Sequence, residues 1–314
     1  MRADFELNGL RVPPGSHRLI EIDIARLPSG TLIQMPVHVF HSKDPGPVVM
    51  LSGGLHGDEV NGIETVRRMV ESEDLRKLKA GTVLALPIIN VYGFIHFSRD
   101  VPDGKDVNRS FPGNPEGSLA SIVAWNITHH LLPLIDFGID FHTGGASRTN
   151  HPQVRFAKGD ELGERLARDF RAPFLLQSGL ISGSLRATAM ELGKSVVVFE
   201  GGESLRLDEY SIKVGIRGIR NVLGAEGMIG LKKPTGKSVF CTESHWVRAE
   251  VSGLFIARKV AGDTVREGQT LGVINSPYGE YSLKVKSPYD GYIIGHNNFP
   301  LIHRGDALFH IAQE

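Results

Sequence analysis

His56-Gly57-Asp58-Glu59 places a histidine and a carboxylate three positions apart, and a distant second histidine ends Asp140-Phe141-His142. Imidazole nitrogen and carboxylate oxygen are ligand types of catalytic zinc. Three protein ligands leave a fourth position open for water, as a zinc hydrolase requires. Asp140 precedes His142 by two residues, so on an extended segment both side chains share a face, and the carboxylate can orient a ligating histidine. In isolation, His56 and His142 read as ordinary loop histidines. Their pairing after two different strands favours the metal.

Two further clusters bear chemistry. Ser98-Arg99-Asp100 through Asp106-Val107-Asn108-Arg109-Ser110 is polar, turn-rich and holds two arginines. The planar guanidinium forms paired hydrogen bonds to a carboxylate, and Asn108 adds a neutral donor. An arbitrary loop of this composition also reads as solvated, with surface ion pairs. The run Val196 to Phe199 leads directly into Glu200-Gly201-Gly202-Glu203. A carboxylate there can take a proton from a zinc-activated water and return it to a leaving amine. Glu203 reads instead as a helix N-terminal carboxylate ahead of Leu205.

These residues need elements to hold them. Val48–Leu51, Thr82–Ile88, Ile135–Phe141, Pro173–Leu176 and Ser195–Phe199 are short, β-branched and bounded by Gly, Pro or Ser, which predicts buried strands. Ile63, Val66 and Val70 fall at helical spacing. So do Leu119, Ile122, Val123, Ile127 and Leu131 behind Ser118 as N-cap, and Leu162, Leu166 and Phe170. Strand-helix alternation predicts an α/β layered domain with a parallel or mixed sheet. Function in such sheets sits at the carboxyl ends of strands. His56 and His142 both follow strands and therefore converge on one edge.

The chain has 314 residues, 35 basic and 35 acidic, so no global field favours nucleic acid or an anionic membrane. Its single cysteine, Cys241, allows no internal disulfide and no thiolate zinc cluster. Neither a signal core nor an apolar run of about 18–20 residues is present, which predicts a soluble cytoplasmic protein. A homo-oligomer stays open.

Past Phe240 the composition becomes β-rich and glycine-punctuated, with an internal repeat. Val247–Gly253 echoes Val285–Gly291, and Val265–Ile274 echoes Ile302–Ile311. Two such halves predict a small barrel- or sandwich-like domain. It is similar to the biotinyl/lipoyl carrier fold but lacks the modified-lysine hairpin; Lys284 and Lys286 alternate along a strand. The expected division is 1–235, with a β-rich lead-in over 1–45 that adds edge strands or packs on the small domain, then 236–314. The linker falls near Lys232–Gly236.

Together Gly53-Gly-Leu-His56-Gly-Asp-Glu59, Asn90-Val-Tyr-Gly93, Asp106-Val-Asn108-Arg109, Asp140-Phe-His142-Thr-Gly and Phe199-Glu200-Gly-Gly resemble the succinylglutamate desuccinylase/aspartoacylase family of the zinc carboxypeptidase clan. The resemblance covers about residues 45–225 and implies a carboxypeptidase-like mixed-sheet, three-layer α/β domain with a small all-β appendage. It implies one zinc per chain on His56, Glu59 and His142, with Glu200 as general base and acid. It also implies that Arg99 polarises the scissile carbonyl, that Asn108 and Arg109 hold a substrate carboxylate, and that Arg186 binds a second one. The spacing of Arg186 to Glu200 departs from the aspartoacylase branch. A tyrosine from the carboxyl-terminal region is implied as well, with Tyr278, Tyr281, Tyr289 and Tyr292 as candidates.

The expected activity is zinc-dependent hydrolysis of the amide bond in a small carboxylate-bearing N-acyl amino acid. The alternative is a metallocarboxypeptidase trimming a peptide C-terminus, since Asn108 and Arg109 would hold a terminal carboxylate equally well. A carrier role for the repeat is disfavoured by the missing lysine hairpin. A phosphate loop at Ser52-Gly53-Gly54 is disfavoured because no Gly-Lys-Ser/Thr follows.

Overall fold

The computed structural model describes residues 2–230 and 233–314. Its centre is four parallel strands, Ser195–Glu203, Phe137–Gly144, Asp44–Gly53 and Ala80–Leu86, adjacent in that order. Every residue of Phe137–Gly144 is buried, as a strand covered on both faces requires. Helices Val60–Val70, Glu161–Phe170 and Glu209–Ala225 cover one face, packing Val66, Phe170 and Val222 against Leu51, Phe141 and Phe199. Leu119–Asn126 and Leu185–Glu191 cover the other, with Val123 and Leu185 in one core with Met50 and Leu84. The result is the expected three-layer α/β architecture.

Antiparallel strands make the sheet mixed. On one side Leu32–His41 pairs with Ala80–Leu86 and with Ser16–Arg26, so the amino-terminal residues extend the main sheet rather than the small β-unit. On the other, Arg148–Ala157 runs antiparallel to Ser195–Glu203. Its outer edge is divided between two partners. Gln153 to Ala157 pair in parallel with Phe174–Ser178, and Arg148 to Asn150 pair with Gly291–Asn297 from the carboxyl-terminal region. The main sheet therefore runs without a break into the small β-unit.

That unit explains the repeat. Glu243–Arg248 pairs with Ala307–Gln313 in one layer, and its repeat equivalent Ser282–Lys286 pairs with Thr270–Asn275 in the other. Each half thus lends strands to the other's sheet. Phe255, Leu271, Ile274, Ile293, Leu308 and Phe309 fill the space between.

Several elements differ from expectation. The helix behind Ser118 stays regular only over Leu119–Asn126, then widens over Ile127–Leu131 and tightens over Leu132–Leu134. Pro133 lacks an N–H and its ring opposes the carbonyl four residues back. Glu203 is not at a helix start. It ends the strand Ser195–Glu203, and the next helix begins at Glu209 behind Asp208, whose side chain accepts from the Tyr210 N–H. Of the expected linker, Lys232 lies outside the described residues, and 233–238 have no regular structure. No helix among the described residues is long and apolar enough to cross a membrane.

Candidate active site

Parallel pairing decides the geometry of the site. His142 lies near the carboxyl end of Phe137–Gly144, in register with Glu200 on the neighbouring strand. On the other side, Asp44–Gly53 ends just before the loop carrying His56, and Glu59 stands at the start of the helix Val60–Val70. That loop fits because Gly57 meets Gly93 backbone to backbone: a Cβ at position 57 would lie 1.9 Å from the Gly93 carbonyl carbon.

His56, Glu59 and His142 are all buried, and one ligand atom from each lies within 4.8 Å of the others. Glu59 sits between the imidazoles, with Oε1 2.8 Å from His56 Nδ1 and Oε2 2.9 Å from His142 Nδ1. The two Nδ1 atoms are 3.2 Å apart. Donors at about 2.0–2.1 Å from a tetrahedral metal stand about 3.3 Å from one another, so the cluster has the dimensions of a zinc ligand set. Each histidine also has a carboxylate at its remote nitrogen. Asp140 Oδ2 is 2.7 Å from His142 Nε2, and Asp106 Oδ1 is 3.3 Å from His56 Nε2. This is the outer-shell arrangement that fixes ring orientation and raises ligand basicity. Asp140 is itself held by the Ser52 hydroxyl, which donates at 2.7 Å, so Ser52 serves the histidine rather than a phosphate.

The electrostatics match this chemistry. Burial pushes the Glu59 carboxyl up, but the two imidazoles more than offset that and hold it well below the usual carboxylate range. Burial pulls His142 down, yet Asp140 and Glu59 carry it well above the ordinary histidine value. His56 is raised by the same balance, with burial opposed chiefly by Glu59 and Asp106. The cluster therefore combines a charged carboxylate with two imidazoles, each backed by a second carboxylate, and its three ligand atoms converge at one buried place.

Arg99 extends from this cluster. Its Nε and Nη2 donate to Asp106 Oδ2 at 3.1 and 2.9 Å, while Nη1 stands 3.3 Å from Glu59 Oε1. Asp106, whose carboxyl burial raises and His56 and Arg99 lower to a net value below the usual range, thus ties the arginine to the histidine. Arg99, Asn108, Arg109, Arg186 and Glu200 line one cavity of about 360 Å³ together with the cluster. Asn108 Oδ1 accepts from the Leu185 N–H at 2.9 Å, which anchors the loop to the helix Leu185–Glu191. Arg109 Nη1 donates to the Asn108 carbonyl. Arg186 donates to Ser178 Oγ and the Gly179 carbonyl at 2.9 and 2.6 Å. Burial and neighbouring Arg155 push it down to about 10, against the pull of Glu200.

Residues without an expected role complete the cavity. Asn150 Nδ2 donates to Glu200 Oε2 at 2.7 Å, and Arg155 Nη1 lies 3.6 Å from Glu200 Oε1. Arg148 and Trp246 also line it. None of the four candidate tyrosines does. Tyr278 is exposed, Tyr281 donates to the Ser252 carbonyl and Tyr292 to Glu314 Oε1. The carboxyl-terminal aromatic at the cavity is Trp246, stacked on buried His310 with ring centroids 4.4 Å apart.

A mixed sheet with a His-Glu-His cluster at its carboxyl edge defines an α/β protein of the carboxypeptidase-like class. Within it, residues 45–225 match the profile of the succinylglutamate desuccinylase/aspartoacylase catalytic domain, and the chain belongs to that family. It is 28% identical to the N-alpha-acetyl-L-2,4-diaminobutyric acid deacetylase of Halomonas elongata, over 99% of this chain and 93% of that protein. Product-bound ectoine utilization protein EutE (DoeB) from Ruegeria pomeroyi superposes along the whole of both chains, with a TM-score of 0.87 at 22% identity. A succinylglutamate desuccinylase/aspartoacylase from Rhodobacter sphaeroides superposes over 95% of each chain, with a TM-score of 0.85 at 25% identity.

Proposed function

We propose that this protein is a zinc-dependent amidohydrolase that removes the acyl group from a small, carboxylate-bearing N-acyl amino acid. The observation that carries the reading is the register of Glu200 with His142, which sets a carboxylate beside a cluster with zinc-site dimensions. His56, Glu59 and His142 would hold the ion, which when bound supplies Lewis acidity and makes water a nucleophile near neutral pH. Glu200 accepts a proton from the attacking water and passes it to the departing amine. Arg99, fixed by Asp106, faces the oxygen on which negative charge develops. Asn108 and Arg109 orient the substrate through its carboxylate.

The deacetylase activity of the Halomonas relative supports an N-acyl amino acid over a peptide. So does the cavity, whose volume of about 360 Å³ is at the small end of ligand pockets. The metallocarboxypeptidase alternative has thinner support: a Shewanella denitrificans metallopeptidase structure superposes on only 67% of this chain, at a TM-score of 0.51. The test is Glu200→Gln assayed on a panel of N-acyl amino acids and short peptides. Metal content should stay at one equivalent while deacylation falls about 10²–10⁴-fold. Near-normal turnover, or a preference for peptides, would overturn the proposal.

A further inference from the structure

We propose that Asn150 is a positioning residue for Glu200, and that Gly295 in the carboxyl-terminal strand makes its placement possible. The inference rests on the reading of Glu200 as the group that carries the proton.

A glutamate has two free torsions beyond Cβ, and proton transfer requires one oxygen to be held in line with its partner. Asn150 supplies that restraint. It lies on the strand Arg148–Ala157, buried to 7% exposure, and its Nδ2 donates to Glu200 Oε2 at 2.7 Å. Oε1 is left with Arg155 Nη1 at 3.6 Å, beyond hydrogen-bond distance. One oxygen is therefore anchored and the other is free to take the proton.

The opposite side of the amide is set by the carboxyl-terminal region. Gly295 pairs in register with Asn150 and is buried. Its φ is not among the positive ones, so backbone conformation does not demand glycine there. Space does: a Cβ at position 295 would lie 2.6 Å from Asn150 Oδ1. The amide is thus confined between Glu200 and the Gly295 backbone, at the place where the small β-unit joins the main sheet. Adding a methyl at 295 would push the Asn150 side chain, the flexible partner of that contact, off its present position.

The experiment compares Asn150→Ala, Asn150→Asp and Gly295→Ala with the wild type and Glu200→Gln. Each full-length protein, loaded with zinc, is assayed by deacylation kinetics across pH, with metal content measured in parallel. Asn150→Ala and Gly295→Ala should lower kcat about 10- to 100-fold, with KM and metal stoichiometry within about twofold. In Asn150→Asp, two carboxylates share one site, so the acidic limb of the kcat/KM profile should move up by about one pH unit or more. A purely structural asparagine would not move that limb. An unmoved limb in Asn150→Asp, or wild-type kcat in Gly295→Ala, overturns the proposal even if Asn150→Ala fails to fold. If Glu200→Gln collapses while the other variants behave as wild type, only the positioning role is lost. If Glu200→Gln keeps its turnover, the underlying reading fails first.

Discussion

Asp140→Asn isolates the support behind His142. The carboxylate is 1% exposed, accepts from Ser52 Oγ and stands 2.7 Å from His142 Nε2, so the isosteric amide should occupy the same space with no cavity and no clash. What changes is charge. A hydrogen bond to a charged group contributes about 1.5–3 kcal/mol and a neutral one about 0.5–1.5, so the substitution removes about 1–2 kcal/mol of support for the ring. At about 1.4 kcal/mol per tenfold, that approaches the 10- to 100-fold loss of metal affinity typical of outer-shell changes. Stability should follow by linkage. With free zinc at about 100 times the wild-type Kd, binding stabilises the fold by about 2.7 kcal/mol, and a 10- to 100-fold weaker site forfeits about 1–2 kcal/mol of that. The melting temperature should then fall by several degrees in zinc and little in chelator. Competition against a chelator of known affinity reads the Kd directly. Wild-type zinc affinity in Asp140→Asn would refute the argument that the carboxylate acts through His142.

Arg109→Ala should raise KM for the preferred acidic substrate about 10-fold or more, with kcat little changed, because it removes a charged hydrogen bond made equally in ground and transition states. An unchanged KM would count against a carboxylate clamp. Gly57→Ala should cost about 3 kcal/mol or more, since its Cβ would meet the Gly93 backbone at 1.9 Å, where no side chain can yield. Thermal denaturation and zinc content should both drop, and a wild-type melt would show that the loop has room.

The central elements were legible because their signals are local. Val48–Leu51 before His56 is a continuous apolar run, Phe137, Ile139 and Phe141 alternate ahead of His142, and Asp140 follows from the two-residue period of an extended chain. What was not legible depends on pairing between distant segments. Asn150 and Arg155 reach Glu200 only because Arg148–Ala157, a polar and weakly patterned strand, lies antiparallel to Ser195–Glu203. Trp246 reaches the cavity only because the carboxyl-terminal strands continue the main sheet. Asp106 stands beside Asn108 and Arg109, whose side chains suit a carboxylate, while its own contact with His56 spans 50 residues. The helix expected from Leu205 begins only at Glu209, and its length to Ala225 was not legible for another reason. Gly215, Gly218 and Gly224 weaken its helical signal. Gly215 and Gly218 are there because Thr65 and Phe170 pack against the helix axis, where a Cβ would lie 2.9 and 2.1 Å away. None of Tyr278, Tyr281, Tyr289 and Tyr292 lines the cavity, where the carboxyl-terminal region supplies Trp246 instead.

The most direct test of the account is a zinc titration of the chelator-treated protein, followed by deacylation of an N-acyl amino acid. Activity should be lost on chelation and return in proportion to added zinc, saturating at one equivalent per chain. His142→Ala should fail to recover over the same range. Full deacylase activity in the metal-free protein, or in His142→Ala, would contradict the account.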